Sequence, residues 1–359
     1  MTLTEGYVIL KSGRHDNLNR VVRIPVKWLY YLWKVGKSMF HIFNKDRGNE
    51  KDRENDQKKN NIVVLKKTKP GMCGGTDATL DTDAPKEILS QDMILFDVTS
   101  ALHTKPSQDS YEELINYVSA FAIKTKEGTF MLLEKRMGYQ RRGNGSFSWV
   151  LVKENVFPKL VELVRECELA KNNGFHSRTH GLPENFGGSV NIKYASGENI
   201  SFSNNQTPIL SFDAGQKIAE LFEDAMKGEK VPLPDLAALT EIRFLEERKD
   251  GGFTKATLKF HRDGTGLNIK SAKYDTDKIY ESENMVDAET IHQIKNNIEV
   301  NGMLAWSGLP ETEYHYSEKK SMTFVFGDQE EVTVESGRSL PVQIDRGFFN
   351  IELEMTTKH

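Results

Sequence analysis

From Ile94 to the C-terminal region, short runs of alternating apolar and polar residues are separated by glycine-bearing turn dipeptides, Glu127-Gly128, Ser196-Gly197 and Asp263-Gly264. Alternation with a period of two puts every second side chain on one face of a strand, and a tight glycine turn brings the next strand back beside it. The chain is therefore expected to be built from antiparallel hairpins. Strands are predicted at 94–101, 117–124 and 129–135, with a further strand at 147–152. Next comes a helix whose Val156, Leu160, Leu163, Val164 and Cys167 share one face, which makes Cys167 a small core residue. Strands at 189–195 and 198–203 follow. A second helix at 214–227 is announced by Asp213 and Gln216 in a capping-box arrangement.

The stretch GEKVPLPDL, with two prolines, ends this pattern, and the same order then begins again. Strands are predicted at 239–247, 254–261 and 266–273. A helix at 287–300 presents Ile291, Ile294 and Ile298, a hairpin spans 321–326 and 330–335, and a terminal strand covers 343–355. Gly128 lies over Gly264 and Pro208 over Pro341 with an offset that drifts by only a few residues. This predicts an α+β fold made of two related antiparallel-sheet-plus-helix domains of β-β-β-α-β-β type, a tandem duplication spanning 94–233 and 234–359. The run from about Ile94 onward, with GSVNIKYASGENISFSNNQTP after an amphipathic helix, resembles a domain that recurs in uncharacterised bacterial proteins, chiefly from Gram-positive anaerobes. The resemblance covers roughly two-thirds of the chain. It implies a bacterial protein on the cytosolic side and carries no catalytic residue.

Ahead of the repeats lie an N-terminal segment at 1–43, a charged linker at 44–61 without an apolar side chain, and a connecting segment at 62–93. Residues 21–43 are apolar and aromatic but contain Arg23, Lys27, Lys34 and Lys37. A central Lys or Arg costs roughly 2.5–3.5 kcal/mol in a bilayer span, so this stretch is not expected to cross one. Wound as a helix from near Pro25, it gathers Lys27, Tyr31, Lys34, Ser38 and His41 into one polar stripe, with Lys37 beside it. The opposite face is wide, apolar and aromatic. That amphipathic helix suits an anionic membrane surface through Lys27, Trp28, Trp33, Lys34 and Lys37, and suits equally well a helix docked on the rest of the chain. No acidic residue occurs from Asn17 to Lys45, although the whole chain balances 48 Lys and Arg against 52 Asp and Glu, a net charge of −4. That balance argues against a general polyanion binder and points away from nucleic acid. Two cysteines, Cys73 and Cys167, exclude a disulfide framework, and no basic n-region with an apolar stretch opens the chain. The expected location is the cytoplasm, at the inner face of the membrane where the helix binds it.

No reaction motif is present. KPGMCGGTD lacks phosphate-loop spacing, no serine sits in G-x-S-x-G, and His176 and His180 in GFHSRTHG have no third ligand nearby in sequence. Glu246 with Glu247 and Asp275 with Asp277 read as solvated charges. The segment EKRMGYQRRGNG groups Lys135, Arg136, Arg141 and Arg142 around Tyr139, which suits an acidic partner through Arg136, Tyr139, Arg141 and Arg142. No catalytic, metal or cofactor-binding residue is assigned, and no cofactor is expected. The expected function is a non-enzymatic binding or scaffolding protein that engages a protein partner by avidity between two modules. The alternatives are a nucleic-acid-associated protein and an enzyme whose site is dispersed in sequence.

Overall fold

The computed structural model describes residues 2–4, 7–10 and 22–25, and everything from 61 to 356 except 70–73, 103–114, 138–144, 182–185, 275–277, 307–317, 328–329 and 337–341. Residues 1–62 and 63–359 form two compact units. In the first, β1 (Thr2–Thr4), β2 (Tyr7–Leu10) and β3 (Val22–Pro25) make a small antiparallel sheet. The predicted amphipathic helix, with Lys27, Trp28, Trp33, Lys34 and Lys37, lies outside the described residues, as does Cys73.

Among its described residues the second unit holds two sheets and four α-helices. The first sheet contains β4 (Ile62–Lys66), β5 (Thr76–Asp81), β6 (Met93–Ala101), β7 (Ile115–Lys124), β8 (Thr129–Met137), β9 (Gly145–Val152), β10 (Phe175–Thr179), β11 (Gly188–Tyr194) and β12 (Asn199–Asn204). Its order is β4-β5-β10-β12-β11-β6-β7-β8-β9. Helices α1 (Phe157–Glu166) and α2 (Phe212–Ala225) lie on one face. Pro158 stands in the first turn of α1, where its missing N–H costs no bond, and Leu160, Val161, Leu163 and Val164 form the buried stripe. Cys167 follows as the C-cap, half-buried against this core, and burial, then the charge of Glu166, pushes its thiol pKa up. The N-cap of α2 is Ser211, not Asp213: its hydroxyl accepts the Ala214 N–H at 3.2 Å, while Gln216 donates to Glu220.

The second sheet contains β13 (Leu239–Arg248), β14 (Phe253–Phe260), β15 (Gly266–Lys273), β16 (Ile279–Val286), β17 (Glu318–Phe326) and β18 (Glu331–Ser336) in the order β16-β15-β14-β13-β17-β18. Helix α3 (Ala288–Val300), capped by Asp287, lies between β16 and β17 in sequence, and α4 (Val342–Thr356) ends the chain. Three expectations change here. The second half has a fourth meander strand, β16, paired fully with β15 as the expected β9 is with β8. The segment at 343–355 is a helix: Phe348, Ile351 and Met355, spaced three and four apart, share one buried stripe. Its last carbonyls are held by the sheet, with the Asn268 side chain donating to Met355 O at 2.8 Å and Lys270 donating to Thr356 O. Glu246 is not fully solvated either, since Lys320 lies 3.6 Å from it and 2.7 Å from Glu352 on α4.

Strand order is the same in the two halves. In each, a four-strand meander is followed by a helix, a hairpin that joins the first meander strand, and a closing helix. Gly128 and Gly264 occupy the equivalent turn, between the second and third meander strands. The first half adds β10, β5 and β4 beyond its hairpin, with β10 running parallel to β12.

The halves are joined through a common core. On the first sheet, Phe96, Val98, Val118, Ala120, Ala122, Met131, Leu133, Val150 and Val152 face α1 and α2. The alternate residues Leu95, Phe121, Ile123, Phe130, Leu132 and Leu151 instead share a core with α3, α4, Met303, Trp306 and the inner face of the second sheet. The layers thus run helix, sheet, helix, sheet. Each large side chain buried on this outer face contributes on the order of 1.5–3 kcal/mol, so their sum is comparable to the net stability of a domain. Trp149 fixes the contact by donating its ring N–H to Val300 O at 3.0 Å. Gly302 has φ +62°, and a Cβ there would stand 2.4 Å from the Trp149 ring.

Gly302→Ala is therefore expected to destabilise by more than about 1 kcal/mol, through both backbone strain and overlap, and Phe130→Ala by about 3–5 kcal/mol. Both should lower the midpoint of a single cooperative thermal transition. Two transitions, only one of which moves, would contradict the shared core.

Candidate functional site

The register of the first sheet sorts its outer face into rows. One row reads Lys193, Leu95, Ile123, Phe130, Leu151 and is apolar beyond its first residue. The next reads Ser201, Asn191, Asp97, Phe121, Leu132, Trp149, changing from polar to apolar midway. The third is polar from His176 through Ser203, Ser189, Thr99 and Ser119 to Glu134, and ends on Phe147 of β9. Beyond it, Tyr117 stands opposite Arg136. The second half covers the apolar corner, and the polar corner carries an open cleft of about 360 Å³.

Thr99, Tyr117, Arg136, Ser177, Arg178, Ser189, Ser203, Asn204 and Asn205 line this cleft, together with Gly187 and Gly188. At Gly188 a Cβ would lie 2.1 Å from the Thr99 carbonyl oxygen, so only glycine lets β11 lie this close to β6 here. Arg136 stacks 4.3 Å above the Tyr117 ring and donates Nε and Nη2 to Glu134 Oε1, at 3.0 and 2.8 Å. Stacking and pairing hold the guanidinium plane and leave its Nη1 edge for a ligand. Burial, then the Glu134 charge, raises the Tyr117 pKa, which keeps the phenol neutral.

Neutral hydrogen-bonding groups complete the wall. Thr99 and Ser119 hydroxyls meet at 3.1 Å. His176 Nδ1 lies 3.0 Å from Ser203 Oγ, and burial lowers the His176 pKa against the opposing pull of Asp81, so the ring is a neutral partner near pH 7. His180 pairs with Asp77 at 2.9 Å. Burial pushes the Asp77 carboxyl up, but hydrogen bonds from Thr68 and His180 outweigh it and leave the pKa below its ordinary value. The two histidines thus serve separate cross-strand contacts, and no cluster of three possible metal ligands occurs among the described residues.

Of the residues expected to meet an acidic partner, Arg136 lies in the cleft wall; Tyr139, Arg141 and Arg142 are outside the described residues. Arg178 belongs to β10, in a stretch that reads as loop from its glycines, and sequence reasoning passed over it. The available signal was the polar half of the alternation, Ser189 and Asn191 on β11 and Ser201 and Ser203 on β12: strand positions with hydrogen-bonding groups on a face that elsewhere is apolar. Among the described residues no helix is long and apolar enough to cross a membrane. No protein-family model and no curated protein matches this sequence, so the functional reading rests on the chemistry of the site.

Asp97 sits where the outer face changes character, between Asn191 and Phe121. It keeps a little solvent contact, but surrounding protein removes most of its hydration, and this burial raises its pKa to about 6. The folded state therefore holds the proton more tightly than the unfolded chain. That contribution to stability is complete below the unfolded-chain value near 3.8 and is lost as pH rises through about 6. Asp97→Asn, which carries no charge, should stabilise relative to the parent at pH 8 by an amount on the order of 2 kcal/mol and change little at pH 4. Thermal unfolding of both proteins at the two pH values checks this, and an equal shift at both would contradict it.

Proposed function

We propose that the chain is a binding protein of two stacked, related modules, and that the polar cleft of the first module takes an anionic group, a carboxylate or phosphate borne by its partner. The observation that carries this reading is the convergence of Arg136 and Arg178 on one cleft otherwise lined by hydroxyls, amides and the Tyr117 ring. Guanidinium groups match planar and tetrahedral oxyanions through paired N–H donors, and neutral hydroxyls and amides solvate the remaining oxygens without adding charge. Glu134 orients Arg136 rather than cancelling it, because one edge of the guanidinium is left open. The shared strand order favours reading the halves as products of a duplication, in which the first has kept or gained the cleft.

Titration calorimetry and thermal shift at constant ionic strength, with inorganic phosphate, pyrophosphate and a dicarboxylate as probes, test the cleft. At least one should bind, and Arg136→Ala or Arg178→Ala should weaken it by roughly tenfold or more, in line with the 1.5–3 kcal/mol typical of a hydrogen bond to a charged group. Binding no stronger than that of chloride, or unaffected by both substitutions, would remove the reading.

Attachment to an anionic membrane surface is the second part of the proposal. It rests on the acid-free stretch from Asn17 to Lys45 with Lys27 and Lys34 in its polar stripe, Lys37 beside them, and the Trp28 and Trp33 rings. The full chain should co-sediment with vesicles containing phosphatidylserine and release as salt rises, and Lys27→Glu with Lys34→Glu and Lys37→Glu should abolish this. Equal binding to neutral vesicles would argue instead for apolar adsorption.

A further inference from the structure

The six-stranded sheet ends on β16, and this edge differs from the corresponding edge of the first sheet. Along β9 the chain covers its own edge: Val231 N–H donates to Leu151 O and Lys153 N–H to Glu229 O, each at 2.9 Å, and Val152 bridges to Lys230. β16 pairs with β15 from Ile279 opposite Lys273 to Val286 opposite Gly266 without a register shift, and among the described residues no strand pairs with its other side. Ile279, Tyr280 and Met285 are 56, 54 and 62% exposed. Edge strands are normally blunted by charged side chains, above all lysine, by proline, a bulge or shortness; IYESENMV has eight residues, no proline, lysine or bulge, and carries charge only as Glu281 and Glu283. Ile279, Glu281, Glu283 and Met285 alternate on the face turned away from the core, two carboxylates between two apolar side chains. Both glutamates are exposed, and neither forms a salt bridge among the described residues.

We propose that β16 is a docking edge for an extended segment of a partner protein, which adds a strand to the sheet and sets two basic residues, flanked by apolar ones, opposite Glu281 and Glu283. Main-chain hydrogen bonds along an unpaired edge give affinity, and side chains at alternate positions give selectivity. Basic residues pair with Glu281 and Glu283, while apolar ones cover Ile279 and Met285. A second copy of this chain fits less well. A two-fold pairing centred on Ser282 sets Glu281 against Glu283, and one centred on Glu283 sets it against itself. The proposal is independent of the cleft, which lies on the other sheet.

The test uses the full chain and a fluorescein-labelled peptide, Thr-Val-Thr-Lys-Thr-Lys-Thr-Val-Thr, followed by anisotropy. Saturable binding is expected, weakened about tenfold when both peptide lysines are replaced by glutamate. The double variant Glu281→Lys with Glu283→Lys alters only exposed side chains, so its melting temperature should hold while its preference reverses to the glutamate peptide. No binding, equal binding of the two peptides, or an unchanged preference in the double variant would overturn the proposal. So would concentration-dependent dimerisation in sedimentation that Met285→Lys abolishes, which would assign the edge to a second copy instead.

Discussion

Burial of the first sheet on both faces is the constraint on which the rest of the second unit depends. A sheet covered on one face by α1 and α2 could end there, with polar residues outward. Phe121, Phe130, Leu132 and Leu151 forbid that ending, because their outer face must be removed from water, and the second half, with its helical layer, does so. The indole of Trp149 and the absent side chain at Gly302 then fix how closely the two halves approach. The second sheet closes the series. Its outward positions mix Glu241, Arg243, Lys255, Lys259, Glu281, Glu283 and Glu331 with the apolar Leu245, Leu267, Ile269, Ile279 and Met285, and among the described residues no further layer lies over them.

The cleft follows from the same packing. Only part of the first sheet's outer face is apolar, and its polar rows run on past the area the second half covers. Strands β10, β5 and β4 widen the sheet on that side and bring Arg178 and His176 into line with hydroxyls from four other strands. Asp97 stands at the boundary, where a carboxylate is too dry to ionise easily and is still within reach of the polar groups. The site is a product of strand register more than of any local motif, which explains why no contiguous stretch of sequence announces it.

Legibility varied with how local the determining interaction is. Hairpins such as β11 with β12 and β14 with β15 were readable because Ser196-Gly197 and Asp263-Gly264 set their turns, and Gly197 and Gly264 do adopt positive φ, at 90° and 87°. The stripe of α1 and the Ile291, Ile294, Ile298 face of α3 were equally plain. Residues 343–355 were misjudged since a short apolar run does not distinguish strand from helix until its neighbours are known. The side chains of Asn268 and Lys270, more than eighty residues earlier, donate to its last carbonyls and settle the matter. β16 was hidden by its edge position: with only Val286 buried, it lacks the apolar alternation that marks a half-buried strand. Of the cleft, Arg136 was visible as part of a basic cluster, but Arg178 was not, because GFHSRTHG looks like a loop until β5 and β12 flank it.

The sequence by itself determined the alternation of strands and helices, the turns between them, the repeated order of elements in two halves, and an N-terminal stretch set apart by charge. These are consequences of periodicity, turn stereochemistry and local composition, each acting within a few residues. Tertiary structure decided that the two halves share one core, that the last segment is a helix, and that guanidinium, hydroxyl and amide groups from β6, β7, β8, β10, β11 and β12 meet in one cleft. These depend on register and on which face is covered. Both are set by pairings between residues far apart in the chain, where shifting a strand by one residue would turn every side chain to the opposite face.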